Sequence, residues 1–86
     1  MKKNIQFRQA FAEMLRYYRT LAGLTQSELA KRIDGSEIGV RTWERAASCP
    51  SLETFLLLAD AIEVEAEEFL GEILNRTALI QNLDNT

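Results

Sequence analysis

Apolar residues recur at three- and four-residue steps along most of the chain, and neither two-residue alternation nor a hairpin-turn dipeptide appears. That period belongs to helices with one buried stripe, so the pattern predicts an all-α bundle. The first helix is expected from about Ile5 to Ala22. Phe7, Phe11, Met14, Leu15, Tyr18, Leu21 and Ala22 fall on its apolar stripe, with Arg8, Glu13, Arg16 and Arg19 mostly off it. Gly23 supplies a left-handed stop. Thr25 followed at the third position by Glu28 is a capping box, with Leu24 placed to staple against Leu29. A second helix is therefore expected over roughly Gln26 to Ile33, burying Leu29, Ala30 and Ile33 and too short to hold by itself.

Asp34-Gly35 turns the chain, and Ser36 caps a third helix to about Arg45 with Val40 and Trp43 facing inward. After residues Ala46–Pro50, Ser51 caps a fourth helix whose apolar positions are Leu52, Phe55, Leu56, Leu58, Ala59 and Ile62. A fifth is expected near Ala66–Leu74, with Phe69, Leu70, Ile73 and Leu74 apolar. The tail can continue as a frayed helix carrying Leu79, Ile80 and Leu83, so the expected organisation is one domain over residues 1–74 and a tail over 75–86.

Composition narrows the function classes. Eighty-six residues with 47% hydrophobic content allow one small core and leave little room for a deep catalytic cleft. There is no His, and Cys49 is the single cysteine, with only Arg45 as a basic neighbour in sequence, so it reads as a small passive residue. No phosphate-cradling glycine loop occurs, and the acids Glu63, Glu65, Glu67 and Glu68 read as a solvated face and helix N-terminal charge. An enzyme is not expected, nor is a cofactor or a metal. The basic start has no apolar segment behind it, and no run of about 18 apolar residues exists, so neither a signal peptide nor a membrane span is expected. A lone cysteine fits a reducing compartment such as the cytoplasm.

The net charge of −3 argues mildly against nonspecific nucleic-acid affinity, but its distribution does not. Residues 1–45 hold nine Lys/Arg against five Asp/Glu, whereas residues 46–86 hold only Arg76 against eight acids. A nucleic-acid surface would therefore lie in the first half, with an acidic back.

Two short helices joined by a Gly-containing turn and packed on a longer first helix form a helix-turn-helix arrangement. Gln26-x-x-Leu29-Ala30, then Ile33, Gly35, Ser36, Val40, Trp43-Glu44, Pro50-Ser51-Leu52-Glu53-Thr54 and Leu58-Ala59 resemble, in type and spacing, the phage repressor/Cro-type helix-turn-helix family of XRE-like regulators. The resemblance runs without a gap from about Leu15 to Leu70. It implies a five-helix lambda-repressor-like domain whose second and third helices form the motif, and a sequence-specific regulator of transcription, expected to be a repressor, that binds double-stranded DNA.

The resemblance also implies roles. Gln26 would hold a phosphate where free N–H groups favour an anion. Arg19 and Glu44 would form a partly buried ion pair tying the first helix to the third. The base-reading positions would be Ser36, Glu37, Ile38, Arg41 and Thr42, with Arg45 following as a phosphate contact. Arg41 can donate to guanine O6/N7 or clamp a phosphate; Glu37 can only accept, so its natural base partner is the cytosine amino group. Thr42 can reach a base edge or a thymine methyl, and Ile38 can meet a thymine methyl or rest exposed. Gly39 weakens a short helix and either permits a close backbone approach or marks relaxed selection.

One departure stands out. Members of the family it resembles commonly carry a Gly and basic residues between the Glu and the Pro, where this chain has Ala46-Ala47-Ser48-Cys49 after Arg45. Fewer neutralised phosphates lower both affinity and its salt dependence. The second reading is accordingly a repressor-fold module that binds a protein partner, as an antirepressor or antitoxin-like protein. Ile73, Leu74, Ile80 and Leu83 fit either a homodimer seam or a cap on the core, and a dimer would suit a palindromic operator.

Overall fold

The computed structural model describes residues 5–84; the expectations for residues 1–4, 85 and 86 lie outside it. Its elements are α1 (Ile5–Leu21), α2 (Gln26–Arg32), α3 (Glu37–Glu44), α4 (Leu52–Ala61) and α5 (Ala66–Asp84), with no strand among the described residues.

The helix starts follow from short side-chain caps. The Thr25 hydroxyl accepts from Glu28 N at 3.0 Å and the Glu28 carboxylate accepts from Thr25 N at 2.8 Å, so both halves of the capping box are made. Ser36 Oγ accepts from Gly39 N at 3.0 Å and Ser51 Oγ from Thr54 N at 3.1 Å. The Glu28 carboxyl is held below its usual range, chiefly by its bond to the Thr25 backbone.

The helix ends share one device. After each of α1 to α4 the chain places one residue in the left-handed region: Gly23 (φ 76°), Asp34 (φ 57°), Ala46 (φ 62°) and Glu63 (φ 63°). Each time, paired backbone bonds close the turn in the Schellman pattern, as in Gly35 N to Ala30 O at 2.8 Å with Asp34 N to Lys31 O at 3.2 Å. Between α2 and α3 it is thus Asp34 that carries the positive φ. At Gly35 a Cβ would stand 3.3 Å from the Ile33 side chain, which would have to shift by a few tenths of an ångström.

The core is centred on three aromatic rings from three helices. Phe55 of α4 and Phe69 of α5 stack at 4.9 Å between centroids, and Phe11 of α1 lies 5.9 Å from Phe69 and 6.3 Å from Phe55. Tyr18 meets Phe69 edge-on at 5.7 Å. Around them Leu15, Leu29, Val40, Leu58 and Ile73 are completely buried. α1 packs along α5, and α2 packs against α3.

One expectation needs correction. Leu21 and Ala22 do not complete the α1 stripe; both are exposed, because the chain turns at Gly23 and Leu24 enters the core instead. The fifth helix, expected near Ala66–Leu74 with a tail that can continue it, runs past Leu74. It continues unbroken to Asp84, with Thr77 buried inside it and its hydroxyl donating to Ile73 O at 2.7 Å, which removes the cost of burying that group. Leu52, Leu56, Leu70 and Leu74 are exposed, whereas Ile73 is core and Ile80 packs against it.

Candidate nucleic-acid interface

α3 is fixed from behind by a buried acid. The Glu44 side chain is only 1% exposed, yet three side chains reach it. Arg19 grips it with both arms, Nε donating to Oε2 at 2.6 Å and Nη2 to Oε1 at 2.9 Å, while Nη1 donates to Leu24 O at 2.8 Å. This planar, two-pronged geometry is what a guanidinium supplies and an ammonium does not. The bond to Glu44 raises the Arg19 pKa above its ordinary value, against the opposing effect of burial. Gln26 Nε2 donates to Glu44 Oε1 at 3.1 Å. Arg16 Nη2 donates to the Glu44 backbone carbonyl at 2.6 Å, and its Nε stands 3.7 Å from Oε1. One carboxylate therefore joins the C-terminal half of α1, the first residue of α2 and the last residue of α3.

Sequence reasoning assigned Arg19 and Glu44 to a pair but missed Arg16. Its spacing, one turn before Arg19, was the available signal; what could not be read was that its guanidinium reaches a carbonyl at the end of α3. Likewise Arg32 Nη1 donates to Ala61 O at 3.2 Å, closing the end of α4, and no sequence pattern announced it.

The outer side of α3 carries the expected reading residues together. Ile38 is 70% exposed, Ser36, Glu37 and Arg41 are exposed, and Thr42 is half-buried. Arg41 Nη2 and Glu37 Oε2 are 3.1 Å apart, one helical turn from each other. The Thr42 hydroxyl donates to Ile38 O at 2.8 Å, so its proton is committed inside the helix, leaving a methyl and lone pairs to offer a base. At Gly39 a Cβ would lie 3.3 Å from the Ser36 hydroxyl and 3.7 Å from the Trp43 ring, a tight fit at a position that Glu28 and Thr54 occupy after the other two caps.

Beyond α3, Arg45 is exposed and forms its C-cap. Ala46 takes the left-handed turn without being glycine. Cys49 is exposed beside an apolar groove lined by Phe7, Leu52, Phe55 and Leu70. Burial pushes its thiol pKa up, only partly countered by the nearby Arg8 charge, which is the opposite of nucleophile activation.

A short α2 and α3 joined by a tight turn, with α3 offering an exposed polar face and anchored through its last residue, define a class. The helix-turn-helix family model matches residues 15–69, and the chain belongs to that family, the XRE-type DNA-binding transcriptional regulators. Among solved structures, the clp gene regulator ClgR from Corynebacterium glutamicum superposes with a TM-score of 0.84 at 25% identity, covering 92% of this chain and 84% of that one. The hypothetical transcription factor NHTF from Neisseria gives a TM-score of 0.71 at 26% identity, covering 81% and 80% of the two chains. A variant of the restriction-modification controller protein C.Esp1396I gives 0.78 at 16% identity, covering 85% of this chain and 97% of that one, a likeness of fold alone. No curated protein matches the chain at a significant level.

Proposed function

We propose that the protein is a cytoplasmic repressor that occupies a specific duplex site, laying α3 in the major groove. Ser36, Glu37, Ile38, Arg41 and Thr42 form the reading face, and Gln26 and Arg45 contact the flanking phosphates. The observation that carries this reading is the exposed α3 face held rigidly from behind by the Arg19–Glu44–Gln26 network. Preorganisation of this kind matters because base readout depends on bidentate geometry. Gln26 is oriented by the same carboxylate that fixes α3, so its phosphate contact and the reading face share one frame.

The protein acts as a homodimer in this account. Leu52 and Leu56 lie one turn apart on α4, Leu70 and Leu74 one turn apart on α5, and Leu52 and Leu70 line one groove. The seam expected from Ile73, Leu74, Ile80 and Leu83 is split: Ile73 is core and Ile80 packs against it, while Leu74 and Leu83 are exposed, and the exposed leucines make the pairing surface. A pairing of two copies through it would present two α3 helices to two half-sites.

Arg41→Ala tests the assignment. It is expected to weaken the selected site by about 1–3 kcal/mol and to relax one base position, read by fluorescence anisotropy against single-base variants. Uniform weakening across all duplexes would make Arg41 a phosphate contact instead.

A second reading, a module that binds a protein partner, is favoured by the 46–49 loop, which carries no charge where phosphate contacts are expected. Failure to enrich any duplex sequence would promote it.

A further inference from the structure

The α3 reading face is electrically self-neutralised. Glu37 stands in the first turn of α3, where its charge complements the helix dipole, and precedes Arg41 by four residues, the favourable order for an acid–base pair on a helix. Both side chains stay about half-exposed with 3.1 Å between Nη2 and Oε2. Resting on the DNA-reading function above, we propose that Glu37 is a selectivity residue that acts through Arg41, turning a potential phosphate clamp into a guanine reader.

Two effects follow from the same carboxylate. First, it steers the guanidinium. One Nη2 hydrogen is taken by Glu37, and the remaining hydrogens keep the fork that fits O6 and N7 of a guanine. A guanine therefore meets an arm already pointed, with less side-chain freedom left to lose on binding. Second, it repels. A phosphate brought to Arg41 is brought to Glu37 as well, so the α3 face gains little from the polyanion as such. With no charge in the 46–49 loop, generic attraction is already low. Glu37 lowers it further at the one place where sequence is read. The cost to total affinity is a gain in discrimination, the usual trade when a repulsive element is built against wrong partners.

This role differs from a direct contact between Glu37 and a cytosine amino group, and the two separate experimentally. Binding of wild type, Glu37→Gln, Glu37→Asp, Arg41→Ala and the Glu37→Gln/Arg41→Ala double variant is measured on the selected duplex and on an unrelated duplex across a salt series. For Glu37→Gln, which keeps shape and loses charge, the unrelated duplex should bind several-fold tighter. Its salt dependence should steepen by about one unit, as for one more neutralised phosphate. The ratio of selected to unrelated affinity should fall roughly tenfold, with the guanine preference at the Arg41 position weakened. Glu37→Asp keeps the charge on a shorter arm, so unrelated-duplex affinity stays low while the guanine preference weakens. In the Arg41→Ala background, Glu37→Gln should no longer change the selected-to-unrelated ratio.

Loss of a cytosine preference with the guanine position intact would overturn the proposal, because Glu37 would then itself read a base. So would an equal effect of Glu37→Gln with and without Arg41, which would be bulk charge alone. If the wild-type protein enriches no duplex at all, the DNA-reading function falls first and this role with it, an outcome visible before any variant is made.

Discussion

Glu44 has a 1% exposed side chain and receives Arg19 and Gln26, with Arg16 on its carbonyl. Such a network fixes geometry more than it adds net stability, because taking the ions out of water offsets most of their attraction. Breaking it is a different matter. Arg19→Ala leaves a buried carboxylate without its main partner and is expected to cost about 3–5 kcal/mol, read from urea unfolding. A loss near zero would mean the pair is not energetically buried. Arg16→Ala, half-exposed and bonded to a carbonyl, should cost about 1 kcal/mol. The capping-box acid gives a pH test. The Glu28 carboxyl sits below its usual range in the folded protein, so its contribution is complete above the unfolded carboxyl range and is lost as pH falls through the folded value. Glu28→Gln should therefore flatten part of the acid limb of stability, seen in thermal melts across that range, and leave the slope at neutral pH unchanged.

Helix starts and helix ends differ in how openly the sequence declares them. Thr25, Ser36 and Ser51 announce their caps by residue type, because a short oxygen-bearing side chain is what reaches the free N–H groups. Where the ends fall near Asp34, Ala46 and Glu63 was legible, but not that these residues take the left-handed turn, since a turn closed by backbone bonds can be made by residues with no special chemistry. The extent of α5 was legible only as a tail able to continue the helix. Asn75, Arg76 and Thr77 look like a polar break, yet Thr77 bonds within the helix and Ile80 continues the core stripe. A non-glycine residue in that left-handed region is strained by about 1–2 kcal/mol. Ala46→Gly should accordingly stabilise the protein by about 1 kcal/mol, measured as a raised urea midpoint with unchanged slope.

On the scale of the whole molecule, the basic half of the chain builds α1 to α3 and the acidic half builds α4 and α5. The bundle and its motif were readable from three- and four-residue spacing because one buried stripe per helix is enough to specify them. Which leucines stay outside was not readable, because the same spacing serves a core and an interface: Ile73 is buried and Leu74, the next residue, is exposed. Leu56→Glu, at a position exposed in the single chain, should keep the helical circular-dichroism spectrum and remove the concentration dependence of the melting temperature while shifting sedimentation from dimer to monomer, and DNA affinity should fall with it. Monomeric sedimentation of the wild-type protein at binding concentrations would remove the paired-half-site account.

The most direct measurement is selection from a random duplex library by the wild-type protein at low and moderate salt. One enriched motif is expected, the same at both salts, made of two half-sites about one helical turn apart with a guanine at the Arg41 position. Recovery of unenriched duplexes at both salts would contradict it.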